Sequence, residues 1–252
     1  MVRKIMPAVI FLLVLVASLI AAEMTADDLI GKYLTACGGE QNMRALKSLT
    51  MKGTMFAQGQ SLELKISYVM PSQSYLMEIG MGGMVMQTVG ANGKDAWTKN
   101  PMGAFYMSGK EKESTLKQAE LFPLLDYKKS GAKVKYLGED LVKGAKAYKL
   151  EYVGTDNDTT IYYFDATTFN AVKEKTANAT VLMSDYRKVG DLTLPYKINI
   201  QSAAESMMMT IDTVAVNPTI SDSLFVMPKD AKSLDSLKAM MKQAGGGAGG
   251  GQ

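Results

Sequence analysis

The chain has 252 residues and a net charge of +3, of which Arg3 and Lys4 supply two, so nothing in its charge calls for nucleic acid or an acidic polymer. It contains no histidine and one cysteine, which excludes imidazole triads and general bases, the common catalytic zinc sites, intramolecular disulfides and cysteine-rich metal centres. Composition is otherwise that of a globular chain, 47% hydrophobic and 21% charged, except for an excess of methionine, 20 residues.

Arg3 and Lys4 precede an apolar run from Ala8 to Ile20, broken only by Ser18 and followed by the small residues Ala21 and Ala22. This is the pattern of a secretory signal peptide over residues 1–22, cleaved after Ala22. The run of about 13 residues is short of the roughly 20 that span a bilayer, so the mature chain is expected as a soluble periplasmic protein of a Gram-negative-type envelope. Leu34-Thr35-Ala36-Cys37 has the look of a lipoprotein-processing site, but it lies inside a helical pattern, and Cys37 is read as a buried, unacylated thiol.

Thr25 and Asp28 form a capping-box pattern, and Leu29, Ile30, Tyr33, Leu34 and Cys37 keep helical spacing up to Gly38-Gly39. A helix is expected over 26–37 and a shorter one over 41–47. Alternation then takes over. Leu62, Leu64, Ile66, Tyr68 and Met70 interleave with Ser61, Glu63, Lys65 and Ser67, the signature of a half-buried strand. Tyr75, Met77, Ile79 and Met81 continue the theme, as do Met84 and Met86 after the Gly82-Gly83 break, and Asn92-Gly93 reads as a hairpin turn. Further strands are expected around Tyr148–Tyr152, Ile161–Phe164, Leu192–Ile200 and Met207–Ile211, separated by turns at Lys143-Gly144, 155–158, Gly190-Asp191 and Asn217-Pro218. The expectation is about ten or eleven antiparallel strands in one domain over 23–228. A charged helix over 110–122, an amphipathic helix over 229–244 and a flexible Gly-rich tail over 245–252 complete the chain.

One-faced strands must turn their apolar sides toward each other, a helix or a ligand, as in a closed barrel, a sandwich or an open half-barrel. Helices and an aromatic content of 8% argue against a transmembrane barrel. The methionines suit a binding surface that repacks around varied apolar ligands, or else an ordinary core; copper is disfavoured because no histidine or second cysteine supports the thioethers. Asp126, Asp165, Asp185 and Asp191 fall at turns, and no nucleophile motif occurs. No catalytic residue, metal site or cofactor is expected, and the protein is read as a non-enzyme.

Five segments, "YLTACGGEQNMRALKSLTMKGT", "NGKDAWTKNP", "YYFDATTFNAVKEK", "DYRKVGDLTLPYKINI" and "IDTVAVNPTISDSLFVMP", taken in order, resemble the outer-membrane lipoprotein-sorting proteins, the LolA-like superfamily. The resemblance spans most of residues 26–228. It implies a mainly β fold, an open, incomplete antiparallel barrel with helices over its concave face, and a periplasmic carrier that shields acyl chains of lipoproteins or lipids on the way to the outer membrane. An inner-membrane donor and an outer-membrane acceptor would be its partners, and the protein itself a monomer. Trp97, Leu194 and Pro195 match the family's framework. The candidate acyl-lining set is Leu62, Leu64, Ile66, Tyr68, Tyr75, Met77, Ile79, Met81, Met84, Met86, Trp97, Met207 and Met209, with Leu29, Ile30, Tyr33 and Leu34 as a lid. The family's early-strand arginine that latches the lid has no counterpart, since the mature arginines are Arg44 and Arg187. The alternative is a periplasmic β-domain of the same fold that acts as a sensor or protein-interaction module, its concave face merely a core.

Overall fold

The computed structural model describes residues 24–203 and 205–246; the signal peptide expected at 1–22 and the end of the tail lie outside the described residues. Helix α1 (Ala26–Ala36) starts at the capping box: Asp28 N donates to Thr25 Oγ1 and Thr25 N to Asp28 Oδ2, both at 3.1 Å. It stops at Gly38, where φ is +117° and an added Cβ would lie 2.0 Å from the Asp191 carbonyl oxygen. That close approach lets Thr193 N donate to the Cys37 carbonyl at 2.9 Å, fastening the end of α1 to the sheet. Helix α2 (Glu40–Ala45) follows.

The strands are β1 (Ser48–Ala57), β2 (Gln60–Val69), β3 (Ser74–Met81), β4 (Met84–Asn92), β5 (Ala96–Asn100), β6 (Gly103–Tyr106), β7 (Lys133–Val142), β8 (Ala145–Val153), β9 (Thr159–Asp165), β10 (Ala171–Lys175), β11 (Ala179–Val189), β12 (Leu192–Ser202), β13 (Ser206–Val216) and β14 (Lys232–Ser233). They form one large open sheet in the order β14-β6-β5-β4-β3-β2-β1-β13-β12-β11-β10-β9-β8-β7, not closed into a barrel. The non-local step is β1 against β13, with Leu49 opposite Val216 and Met55 opposite Met209. All pairings are antiparallel except β14 with β6.

The sheet has 14 strands among the described residues, more than the ten or eleven expected. Strands β6 and β14 are too short to show a period. In β11, Val181-Leu182-Met183 is a continuous apolar run and Asp185 takes φ +56°, which hides the alternation. Helix α3 (Gly109–Lys117) is shorter than the expected 110–122. The run Leu121-Phe122-Pro123-Leu124-Leu125 cannot lie on one helical face; it forms turns that bury Ala119 and Leu124 before a one-turn helix α4 (Tyr127–Ser130). Helix α5 (Leu234–Gly246) begins later than residue 229, because 229–231 turn and 232–233 pair with β6.

Candidate functional site

The concave face is assembled by register. Met183, Ile198, Met209, Met55 and Leu62 are successive cross-strand partners from β11 through β12, β13 and β1 to β2. A second row joins Met51, Ile66, Met77 and Val89 across β1 to β4. Because direct partners share a face, the apolar sides of these strands form one surface. Leu62, Leu64, Ile66, Tyr68, Tyr75, Met77, Ile79, Met207 and Met209 all belong to one hydrophobic cluster, together with Leu29, Ile30, Tyr33 and Leu34 of α1. The face has two characters. It is aliphatic and thioether-rich over β1–β3 and β13, and aromatic over β7–β9, where Tyr152, Tyr162 and Phe164 lie in series and Tyr33 of α1 packs on Phe164 at 5.1 Å.

Four of the residues expected on this surface lie elsewhere. Trp97 is on the opposite face, across from Gly90, clustered with Leu76 and Phe225. Only glycine fits there, since a Cβ at position 90 would meet the Trp97 ring at 2.4 Å. Met81, Met84 and Met86 lie at the β3–β4 hairpin tip and are 42%, 72% and 48% exposed. Met81 is the cross-strand partner of Met84, and a bulge after Ile79 separates the pair from the regular ladder. The polar residues between the lining positions do face away; Lys65 pairs with Glu78 at 2.7 Å on the outer side.

The cover is held by a polar clasp that sequence reasoning missed. Arg44 on α2 grips Asp126 with two bonds of 2.8 and 3.0 Å, and its Nε donates to Glu40 at 2.9 Å. Asp27 on α1 accepts from Lys128 at 2.6 Å and from the Tyr127 hydroxyl at 2.5 Å. The segment 126–128 thus ties α1 and α2 together. The Arg44 guanidinium lowers the Asp126 carboxyl to about 2, and the Lys128 ammonium lowers that of Asp27. The partners are about 80 residues or more apart in sequence, so only Arg44's presence in the helical region was readable. Beside the clasp, a groove of about 590 Å³ opens between α2 and the 119–126 segment, lined by Met43, Leu46, Met70, Leu121, Phe122 and Tyr152.

Cys37 is buried, with its thiol pushed up to about 11 by burial, which suits an inert packing role. Among the described residues no group of three or more His, Cys, Asp or Glu could hold a metal ion, and no helix is long and apolar enough to cross a membrane.

Solved structures share this architecture. A domain described as an outer-membrane lipoprotein-sorting protein from Vibrio parahaemolyticus superposes with a TM-score of 0.58 at 10% identity, over 79% of this chain and 94% of that one. A LolA superfamily protein from Nitrosomonas europaea gives 0.55 at 12% identity, over 81% and 98%. The fold is LolA-like. A DUF1329 family protein from Desulfovibrio piger gives 0.52 at 11% identity, over 80% and 97%. By sequence, the chain matches no protein-family model and no curated protein. At such identities the likeness establishes the LolA-like fold alone.

Proposed function

We propose that the protein is a periplasmic carrier that holds acyl chains of lipoproteins or lipids against the concave face and helps move them toward the outer membrane. The observation that carries this reading is the continuous apolar surface built from β1–β3 and β12–β13, roofed by a helix that a few polar contacts hold in place. An acyl chain gains about 0.8 kcal/mol per methylene on leaving water, but a bilayer already supplies that, so a carrier need only come close to matching it. Flexible methionine side chains at positions such as 55, 77, 207 and 209 suit so nearly balanced an exchange. The reading needs no cofactor and no catalytic group. A monomer would collect its cargo from an inner-membrane donor and pass it to an outer-membrane acceptor.

A second reading, a sensor or protein-interaction module whose concave face is only a core, draws on how completely Leu29, Ile30, Leu49 and Ile211 are buried. Native mass spectrometry of protein purified from the periplasm separates the two. A carrier retains lipid or takes it up after delipidation; a chain that never carries lipid under either treatment belongs to the second reading. Intact mass of the same sample tests export, with cleavage after Ala22 and no lipid on Cys37 expected.

A further inference from the structure

The concave face carries a carboxyl without a hydrogen-bond or ion-pair partner among the described residues, that of Glu174. Glu174 on β10 is directly opposite Tyr162 of β9 and Val181 of β11, both on the concave side, so its carboxyl is on that side too. A register shift between Ala171 and Lys173 brings it there. Its neighbour Lys173 faces the other way, 4.6 Å from the centre of the Tyr163 ring. Among the described residues the Glu174 carboxyl has neither a hydrogen bond nor an ion pair.

The titratable groups around it are Tyr33 from α1, Tyr162 from β9 and Tyr186 from β11. Beyond these lie Cys37, beside Tyr33, and Tyr152 and Glu120, beside Tyr162. None is a cation. Glu174 is half-buried, and the desolvation of its carboxyl pushes it up to about 7. A carboxyl kept in apolar surroundings without a partner costs stability, whereas one that meets an incoming cation recovers a charge-assisted hydrogen bond.

The register also shows where a ligand attached to that cation would run. From Glu174 the cross-strand row continues through Val181, Ile200 and Met207 to Ala57, an apolar track across four strand spacings. At about 4.8 Å per spacing this is about 19 Å along the sheet, suited to a long acyl chain.

We propose that Glu174, with the hydroxyls of Tyr33 and Tyr162, forms the polar end of the concave site and takes the primary ammonium head group of an amphiphile whose tail follows this track. The proposal rests on the acyl-binding reading above and names the class of ligand for that site.

The test compares hexadecylammonium with hexadecanoate, each below its micelle concentration, by titration calorimetry on the full exported chain and on Glu174→Gln. At pH 8.5 the wild type should prefer the ammonium by about ten-fold or more, since a paired charge-assisted bond contributes about 1.5–3 kcal/mol. Glu174→Gln should bind both amphiphiles alike, the ammonium more weakly than the wild type does and hexadecanoate no more weakly. In the wild type the preference should fade as pH falls through about 7, where the carboxyl takes up its proton. Tyr162→Phe, which keeps the ring, serves as a second variant and should reduce the preference a few-fold without weakening hexadecanoate. Equal binding of both amphiphiles by the wild type, or a preference that survives in Glu174→Gln, overturns the ammonium site while leaving acyl binding intact. Failure of the folded wild type to bind either amphiphile overturns the acyl-binding reading itself, and the ammonium site with it.

Discussion

Leu29 on α1 and Leu150 on β8 are both 0% exposed and belong to the same hydrophobic cluster, so the same truncation at each separates a lid from a core element. Leu→Ala removes about three methylene equivalents, or roughly 2.4 kcal/mol of transfer free energy, and the cavity left behind raises the cost to about 2.7–5 kcal/mol. Leu150 sits between β7 and β9, opposite Tyr136 and Tyr162, and cannot leave without unpairing the sheet. Its truncation should therefore cost the full amount in denaturant unfolding. Helix α1 is held by its buried face, the Cys37–Thr193 backbone bond and the Asp27 contacts. If it can detach as a lid, the loss from Leu29→Ala is capped at the free energy of docking α1, because the protein can open rather than unfold. Leu29→Ala should then lower global stability less than Leu150→Ala. It should also speed hydrogen exchange across 26–36 while β8 and β9 stay protected, and hasten uptake of a fluorescent fatty acid. Equal losses of global stability in the two variants, with α1 and β8 exchanging together and uptake unchanged, would show that α1 is core and not a lid.

Met77→Asp should abolish probe uptake, because Met77 lies between Ile66 and Val89 and a charge there would be desolvated against an acyl chain; Lys65→Gln and Met84→Asp should leave uptake intact, with circular dichroism confirming the fold of each. Arg44→Ala should release the clasp and quicken uptake with little loss of global stability, since the pair is half-exposed and screened by solvent. The Asp126 carboxyl is depressed in the folded protein, so the clasp's contribution is fully present above the ordinary carboxyl value of 3.8 and is lost as pH falls toward about 2. A fluorescence pH titration that shows the clasp opening near neutrality in the wild type would contradict this. Thr25→Ala should cost about 1 kcal/mol by removing the cap of α1, with the faster exchange confined to its first turn.

What sequence alone determined here is local. Alternation in Leu62–Tyr68 and Leu192–Ile200, the capping box at Thr25 and Asp28, and the stop at Gly38 each depend on neighbours a few residues away, and each is found in the structure. Alternation also shows which residues of a strand share a face. It cannot show which face is inside, and that depends on pairing between distant segments. Trp97 alternates as readily as Thr98, yet pairing with Gly90 turns it outward while Thr98 follows Val89 inward. Met84 and Met86 continue an apolar pattern, but the bulge after Ile79 breaks the ladder and they lie at an exposed hairpin tip. Glu174 stands between two lysines and reads as a solvated position until the register shift in β10 places it against Tyr162. Arg44 meets Asp126 across an 82-residue separation that no local period encodes. A periodic pattern reports the geometry of one strand, whereas the concave face, its polar end and its clasp arise only when β1 closes on β13 and the helices settle over the result.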